Sequence, residues 1–308
     1  MAEEVEPARD VRPRPRKAIS DARDQRQSRL LSWLVAAAIG ATIVLGILSS
    51  GEQGGRYKIA AVSLAFAAIA GGLRSATVSG AVAGALACFC MTWWTRDLES
   101  PLLHSALPPL IALVALTFAA TRAGKKQKLA HGLAERSGGR TVAQVLANLG
   151  IAALVVTPIG AYAAVSAGLK LPIDPLTLSA ACLSALAEAT ADTVSSEIGQ
   201  AFGTRTYMLT GFRRVRRGTD GGISARGALA GVAASLLVVL IGGAALRLPG
   251  TTEALVFTAG FLGLLSDSLL GATLERRGWI GNDVVNLAST AIAALSFFLM
   301  TRSGLAPH

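Results

Sequence analysis

Nine long apolar runs, separated by short polar segments, account for most of the chain. The first covers residues 30–49 and is too long for the core of a signal peptide. The fifth contains Pro158, which predicts a kink. The remaining runs lie at about 59–73, 75–95, 102–121, 142–168, 176–198, 227–246, 253–274 and 284–302. Because about 20 apolar residues span a bilayer as a helix, the pattern predicts an all-α, polytopic integral membrane helix bundle of about nine transmembrane helices.

The polar segments predict domain boundaries and orientation. Residues 1–29 are basic and proline-containing without apolar periodicity, so we predict a disordered cytoplasmic tail followed by a single transmembrane domain over 30–303. With a cytoplasmic N-terminus, 23 of the 29 Lys and Arg residues fall on the cytoplasmic side. Positive residues concentrate on that side of membrane proteins. We therefore predict this orientation, in a bacterial inner (plasma) membrane.

Composition supports a membrane protein and weakens other classes. Hydrophobic residues make up 52% of the chain and charged residues 16%, whereas soluble domains carry about 25% charged residues. Abundant Gly and Ala suit close helix packing, and they permit a homodimer without requiring one. The net charge of +10 is explained by topology, so we expect contacts with membrane lipids and no nucleic-acid partner. The three cysteines lie in apolar stretches without disulfide or metal-site spacing, and the three histidines are scattered.

Acidic residues inside two apolar runs are the main candidates for chemistry. Glu188 and Asp192 are four residues apart, on one helix face with Ser184 and Ser195. Each ionised side chain at the bilayer centre costs about 2.5–3.5 kcal/mol, so the pair needs a compensating partner. Asp267 lies in the eighth run, on a face rich in glycine. The competing interpretation is an internal ion pair or hydrogen bond that only joins helices.

Depth in the membrane connects the two acidic runs. Counting from the cytoplasmic ends of their runs, Asp192 and Asp267 both lie about 9–10 Å deep, at 1.5 Å per residue. Polar side chains occur near the same level, and each amide alone is typical of a helix–helix hydrogen bond. Together they predict a polar cavity open to the cytoplasm. Its predicted lining residues are Gln144, Asn148, Ser196, Ser268, Asn282 and Asn286.

A basic, glycine-rich segment follows the first acidic run. Four arginines precede a glycine turn and a predicted helix start, a combination that can bind phosphate. The simpler interpretation is a basic turn with a serine helix cap. Beside carboxylates that could hold Mg²⁺, the segment favours a nucleoside triphosphate site. Its candidate residues are Arg213, Arg214, Arg216, Arg217, Gly218, Thr219, Asp220, Gly221, Gly222 and Ser224. For the other basic loop, 121–140, we favour a plain cytoplasmic loop over contacts with lipid or phosphate.

Five short stretches carry a family resemblance. They are QVLANLG at 144–150, ADTVSSEIG at 191–199, GTDGGIS at 218–224, SDSLLGA at 266–272 and NDVVN at 282–286. In this order they resemble the family called domain of unknown function 92, which includes transmembrane protein 19 and the plant phytyl-phosphate kinase. That family is distantly similar to CTP-dependent polyprenol kinases and CDP-diglyceride synthases. The resemblance implies that Asp192, Glu197 and the 213–222 loop form a metal and nucleotide site, with Asp267 and Asn286 in the same pocket.

These observations lead to one main expectation for function. We expect a Mg²⁺-dependent phosphotransferase, a CTP-dependent kinase that converts an isoprenyl (phytyl-like) monophosphate to the diphosphate at the cytoplasmic face. Asp192 and Glu188 are the predicted catalytic residues, and Asp192, Glu197 and Asp267 the predicted metal ligands. A lipid-phosphate cytidylyltransferase is the nearest alternative in chemistry, and a transporter or flippase is the alternative in class. A transporter should open to both sides of the membrane, whereas the acidic and amide side chains are all predicted near the cytoplasmic side. This asymmetry favours an enzyme.

Overall fold

The computed structural model describes residues 19–49, 54–133, 138–166 and 174–303, and the all-α fold class is confirmed. The helices are α1 Asp21–Ser49, α2 Gly54–Gly72, α3 Val78–Thr95, α4 Leu107–Arg122, α5 Lys125–Ala130, α6 Val142–Val155, α7 Pro158–Ser166, α8 Pro175–Phe202, α9 Ala225–Leu246, α10 Gly250–Leu270 and α11 Asn282–Arg302. A π-helical turn, Gly271–Glu275, continues α10. Three short strands, β1 Thr206–Met208, β2 Arg214–Val215 and β3 Gly222–Ser224, lie between α8 and α9.

Each predicted apolar run corresponds to a helix or to a broken helix pair. Within the described ranges, five helices are long and apolar enough to cross a membrane: α1, α3, α9, α10 with its π turn, and α11. The pair α6 and α7 makes a sixth if it is one broken span. The total of nine spans and the cytoplasmic N-terminus therefore stay predictions.

Pro158 separates α6 from α7 as the sequence predicts, but the change is larger than a kink. Helix α6 ends at Val155 and α7 begins at Pro158, with an angle of 80° between them. Proline lacks the N–H needed to continue a helix, and it is well tolerated at the first position of a new one. Thr157 assists the restart, because its hydroxyl accepts a hydrogen bond of 3.2 Å from the Gly160 N–H.

The first helix begins before the boundary predicted at residue 29. Helix α1 starts at Asp21, so residues 21–29 are helical, whereas the rest of the predicted tail, 1–18, lies outside the described residues. Tertiary contacts hold these polar turns. The Gln27 side chain donates to the Trp279 carbonyl and accepts from the Gly281 N–H, both at 2.9 Å. Ser28 donates to Asp283 at 2.6 Å.

Helix α8 is the centre of the bundle. It packs against α4, α6, α9, α10 and α11. Its middle turns are built largely from small residues, including Ala180, Ala185 and Ala187, which are fully buried. Small side chains allow neighbouring backbones to approach closely in membrane proteins. The acids of this helix are therefore carried into the interior of the bundle.

The strands form a small antiparallel sheet that the sequence analysis did not predict. Its order is β2-β1-β3, with Thr206 paired to Val215 on one side and Tyr207 paired to Ile223 on the other. Strand β3 runs directly into α9. Ser224 is the N-cap of that helix, and its hydroxyl accepts a hydrogen bond of 3.2 Å from the Gly227 N–H. The serine cap considered from the sequence is therefore present.

Candidate functional site

A polar cavity of about 340 Å³ lies at the end of α8 that precedes the sheet. Its walls come from α6, α8, α10, α11, the π turn and the segment from β1 to the start of α9. Asp192 and Asp267 both line it. The six polar residues predicted for the lining also lie in its wall: Gln144, Asn148, Ser196, Ser268, Asn282 and Asn286.

The Asp192 and Asp267 carboxyl groups meet in this cavity. They come from different helices and are close enough to share a hydrogen bond if one of them carries a proton. Oδ1 of Asp267 is buried and accepts no hydrogen bond within the described part of the chain. Two ionised carboxylates at this separation repel each other unless a proton or a cation lies between them. The pair is therefore suited to binding a cation.

Glu188 is a predicted catalytic residue, but it lies beneath the cavity and not in its wall. Its side chain is only 1% exposed and is not among the residues that line the cavity. It is one helical turn below Asp192, and α10 covers it at Gly263, where an added Cβ would lie 2.6 Å from Glu188 Cγ. Glu188 is thus close to the paired aspartates but separated from the cavity, a geometry that fits a positioning residue rather than one in contact with substrate.

Glu197 lines the cavity but already has a cationic partner. Its Oε2 lies 2.5 Å from Lys128 Nζ, and its Oε1 accepts a hydrogen bond of 3.4 Å from the Thr121 hydroxyl. Both charged residues are buried, at 3% exposure for Lys128 and 7% for Glu197. A buried carboxylate neutralised in this way is a weaker metal ligand than the aspartate pair. The sequence analysis considered an internal ion pair for Glu188 and Asp192, whereas the structure has one at Glu197.

The glycine turn between β2 and β3 forms one wall of the cavity, and residues 218–224 all line it. Gly218 and Gly221 have φ angles of 73° and 71°, which are costly for residues with a Cβ. Gly221 also packs tightly on the π turn, because an added Cβ would lie 2.3 Å from the Ala272 nitrogen. The Gly222 N–H donates to the Thr219 carbonyl at 2.9 Å and stabilises the turn.

The four arginines predicted for the nucleotide site do not line this cavity. Arg213, Arg214 and Arg216 are exposed, and Arg217 is half-buried. The strand order explains their position, because β1 lies between β2, which contains Arg214, and β3, which borders the cavity. The glycine half of the predicted motif thus lines the cavity, whereas the four arginines do not.

Arg140 lines the cavity, although it is not among the predicted site residues and a plain cytoplasmic loop is favoured for 121–140 from the sequence. It lines the wall and is close enough to Asp192 for electrostatic attraction to its carboxylate. Its backbone is held in a bridge, since its N–H donates to the Ser75 carbonyl at 2.9 Å and its carbonyl accepts from the Thr77 N–H at 3.0 Å. One sequence signal pointed to it: it immediately precedes Thr141, the N-cap of the helix that carries two predicted lining amides.

The cavity also provides a donor set for a magnesium ion. Among the described residues, no group of three or more His, Cys, Asp or Glu side chains is arranged as a complete metal site. Mg²⁺ does not need one, because it is commonly held by one or two carboxylates together with substrate phosphates and water. Asp192 and Asp267 therefore fit such an ion, and Oδ1 of Asp267 has no hydrogen-bond partner within the described ranges.

Comparison with known proteins identifies the family of the chain. The family described as integral membrane protein DUF92 matches residues 61–294. The chain belongs to this family. The resemblance noted from the five short motifs is thereby confirmed, and so is the assignment as an integral membrane protein.

Individual relatives of this DUF92 protein come from plants and microorganisms. Protein VTE6, chloroplastic, of Arabidopsis thaliana is 31% identical over 59% of this chain and 54% of its own length. An uncharacterized membrane protein of Synechocystis sp. is 34% identical over 57% of this chain and 66% of its own length. The matched region spans about half to two thirds of these relatives, and their origins leave the bacterial inner membrane as an expectation. No solved structure matches the chain significantly.

Proposed function

We propose that this protein is a CTP-dependent kinase that phosphorylates an isoprenyl monophosphate of the phytyl type to the diphosphate. The observation that carries the proposal is the meeting of Asp192 and Asp267 beside the Gly218–Gly222 turn in one polar cavity. The similarity to VTE6 and the family resemblance to phytyl-phosphate kinase and CTP-dependent polyprenol kinases support the choice of substrates. Membership of a membrane family fits a lipid acceptor.

The glycine turn supports binding of the triphosphate. It lacks bulky side chains at Gly218, Gly221 and Gly222, so a polyphosphate can approach the backbone N–H groups closely. The turn leads through β3 to the N-terminus of α9, whose helix dipole favours an anion. Arg140 adds a full positive charge on another wall of the cavity.

Transfer requires positioning more than covalent help from the protein. An oxygen of the lipid monophosphate attacks the γ-phosphorus of CTP and forms the new P–O bond. The bond between the γ-phosphorus and the β–γ bridging oxygen breaks, and CDP leaves with that oxygen. No strong base is needed, because the attacking phosphate is already anionic. Arg140 is suited to neutralise charge on the phosphates as they approach.

Asp192 and Asp267 would hold Mg²⁺, which would supply positive charge to offset the negative charge of the phosphates. This role uses both aspartates as ligands. It leaves Glu188 beneath them as a buried residue that helps to fix their position. It also leaves Glu197 in its ion pair with Lys128, so that no third acid is needed at the metal.

Product analysis tests the proposal. Purified protein in detergent or nanodiscs is incubated with Mg²⁺, CTP and a series of prenyl monophosphates, and the released nucleotide and lipid products are identified. Formation of CDP and prenyl diphosphate is the expected result. Release of pyrophosphate with a CMP-lipid would replace the kinase by a cytidylyltransferase. Absence of either product, together with ion-driven lipid or solute movement in proteoliposomes, would replace the enzyme by a transporter.

A further inference from the structure

A second cavity of about 420 Å³ lies beside the polar one. It is lined by α2, α3, α4, α5, α6, α8 and the loops before α3 and α6. Arg140, Asn148 and Glu197 line both cavities. The two spaces are therefore adjacent and share a polar wall. We refer to the second one as the apolar groove.

The apolar groove is strongly asymmetric in chemistry. Most of its wall is hydrocarbon, including Phe66, Leu113, Val114, Val145 and Leu149. Apart from Lys128 within α5, its cationic residues lie at helix ends or in loops: Arg74, Arg122, Lys125 and Arg140. A groove with an apolar interior and a basic rim is complementary to a single-chain lipid with an anionic head.

We propose that the apolar groove binds the hydrocarbon chain of a prenyl monophosphate and that Arg140 binds its phosphate at the wall shared with the polar cavity. The identification of this lipid as a phosphate acceptor rests on the proposed function; the site itself rests on the groove. In this arrangement the lipid phosphate faces the carboxylates and the glycine turn across Arg140 and Asn148.

Among the five basic residues of the groove, Arg140 is the one that also lines the polar cavity, where it faces Asp192. Lys128 is neutralised by Glu197 at 2.5 Å. Arg122 donates to the Leu73 carbonyl at 3.3 Å, and its guanidinium lies 4.0 Å from the centre of the Phe118 ring. The Arg140 guanidinium has no hydrogen-bond partner among the residues that the structure describes. Guanidinium groups bind phosphate through paired N–H donors, so this residue suits a monoester.

A substitution at Gly84 can test whether the interior of the apolar groove binds the lipid chain. An added Cβ there would lie 3.4 Å from the Phe66 ring and 3.8 Å from Val145, which is ordinary contact. A longer side chain at this position would project among the apolar residues and occupy the space proposed for the lipid chain. Gly40 offers a matched control, because it is a helical glycine of α1 outside the groove with nothing within 4 Å of an added Cβ.

The first test does not require turnover. A long-chain prenyl monophosphate with a photoreactive group in its chain is bound to the wild-type protein, irradiated, and mapped by mass spectrometry. Peptides from α2, α3, α4 and α6 should be labelled, and Gly84→Leu should reduce the labelling about tenfold or more because the chain loses buried methylene contacts. Gly40→Leu should label like the wild type. Labelling confined to helices that do not line the groove, or labelling of Gly84→Leu equal to that of the wild type, would overturn the proposal.

Arg140 is tested by changing the headgroup of the probe. Arg140→Gln should weaken binding of the prenyl monophosphate about tenfold, while binding of the corresponding prenyl alcohol changes little. Equal losses for both lipids would show that Arg140 does not recognise the phosphate. The proposed function can fail separately: groove labelling by a wild-type protein that releases neither CDP nor prenyl diphosphate would keep the lipid site and remove the kinase. Kinase activity of the wild-type protein, together with unchanged lipid binding in Gly84→Leu and Arg140→Gln, would keep the kinase and remove the proposed lipid site.

Discussion

Lys128 and Glu197, which lie 69 positions apart in the chain, form a buried ion pair with 2.5 Å between Nζ and Oε2. Lys128 also donates to the Thr121 carbonyl at 2.6 Å. The pair joins the short helix α5 to the central helix α8, and Glu197 borders both cavities. The ion pair fixes Glu197 in the wall of the polar cavity. Because both partners can be replaced together, a double variant can test the role of Glu197.

Removing one partner of this pair should destabilise the protein strongly. Lys128→Met leaves a buried carboxylate without its cation, which costs about 3–5 kcal/mol in comparable pairs, whereas apolar replacement of both partners is often nearly neutral. We therefore expect a large drop in melting temperature for Lys128→Met and substantial recovery in Lys128→Met with Glu197→Leu. Thermal unfolding in detergent measures both.

The same double variant tests the metal role that the sequence predicts for Glu197. If only Asp192 and Asp267 hold the ion, the recovered double variant keeps its Mg²⁺ requirement and most of its activity. A stable double variant that no longer responds to Mg²⁺ would return Glu197 to the metal site.

Asp192→Asn should abolish turnover while the protein stays folded. The change removes the proposed metal ligand but preserves size, so we expect activity to fall by roughly a hundredfold or more. It also relieves repulsion between adjacent carboxylates, so in the absence of Mg²⁺ the variant should melt at the wild-type temperature or above it. Activity assays and thermal unfolding in EDTA give the two readouts.

A matched acid-to-amide change provides the control for that experiment. Asp97 lies in the segment between α3 and α4, where it pairs with Arg247 at 3.0 Å. The pair is solvent-exposed on the Arg247 side, with 59% of that side chain accessible, and such pairs contribute little stability. Asp97→Asn should therefore leave activity intact. Full activity in Asp192→Asn would exclude Asp192 from the mechanism.

Gly221→Ala should damage the glycine turn. The new Cβ would lie 2.3 Å from the Ala272 nitrogen, and the φ of 71° is unfavourable for alanine by about 1–2 kcal/mol before the clash is considered. We expect the loss of CTP affinity to be larger than the lowered stability of the protein would explain, because the turn forms a wall of the polar cavity. Isothermal titration with CTP and Mg²⁺ measures the loss. Gly250→Ala, where nothing lies within 4 Å, should bind like the wild type.

Asp174 should make stability depend on acidic pH through the cap of α8. Burial raises its pKa, but hydrogen bonds from the Thr177 hydroxyl at 2.7 Å and the Thr177 N–H at 2.9 Å outweigh this effect and leave the pKa below 3.8. The ionised cap therefore stabilises the protein above the unfolded-state pKa, and this stabilisation is lost as the pH falls through the folded-state pKa.

The cap prediction is measured by melting curves between neutral and strongly acidic pH. Asp174→Ala should lower stability by about 1 kcal/mol at neutral pH, and its difference from the wild type should shrink as the pH falls. Asp174→Asn keeps a capping oxygen and should lose less at neutral pH. A constant gap between Asp174→Ala and the wild type down to the lowest pH would contradict the assignment.

Local rules explain why so much of the helical architecture could be predicted. Apolar length sets the helices that cross the interior, and Pro158 alone is enough to break one of them, because the missing N–H is a property of the residue. The shared level of Asp192 and Asp267 followed from a constant rise per residue. That count needed no partner helix, yet the two carboxyl groups do meet.

Other features depended on contacts between distant segments. The arginines of 213–217 and the following glycines looked like one motif, but only the glycines line the cavity; for Arg214 the reason is strand pairing, since β1 lies between β2 and β3. Arg140 is held at the cavity by a backbone hydrogen bond to Ser75, and the buried Lys128 pairs with Glu197. Periodicity and composition are local properties that fix helices and depth, whereas the direction and pairing of a charged side chain depend on which segments pack around it.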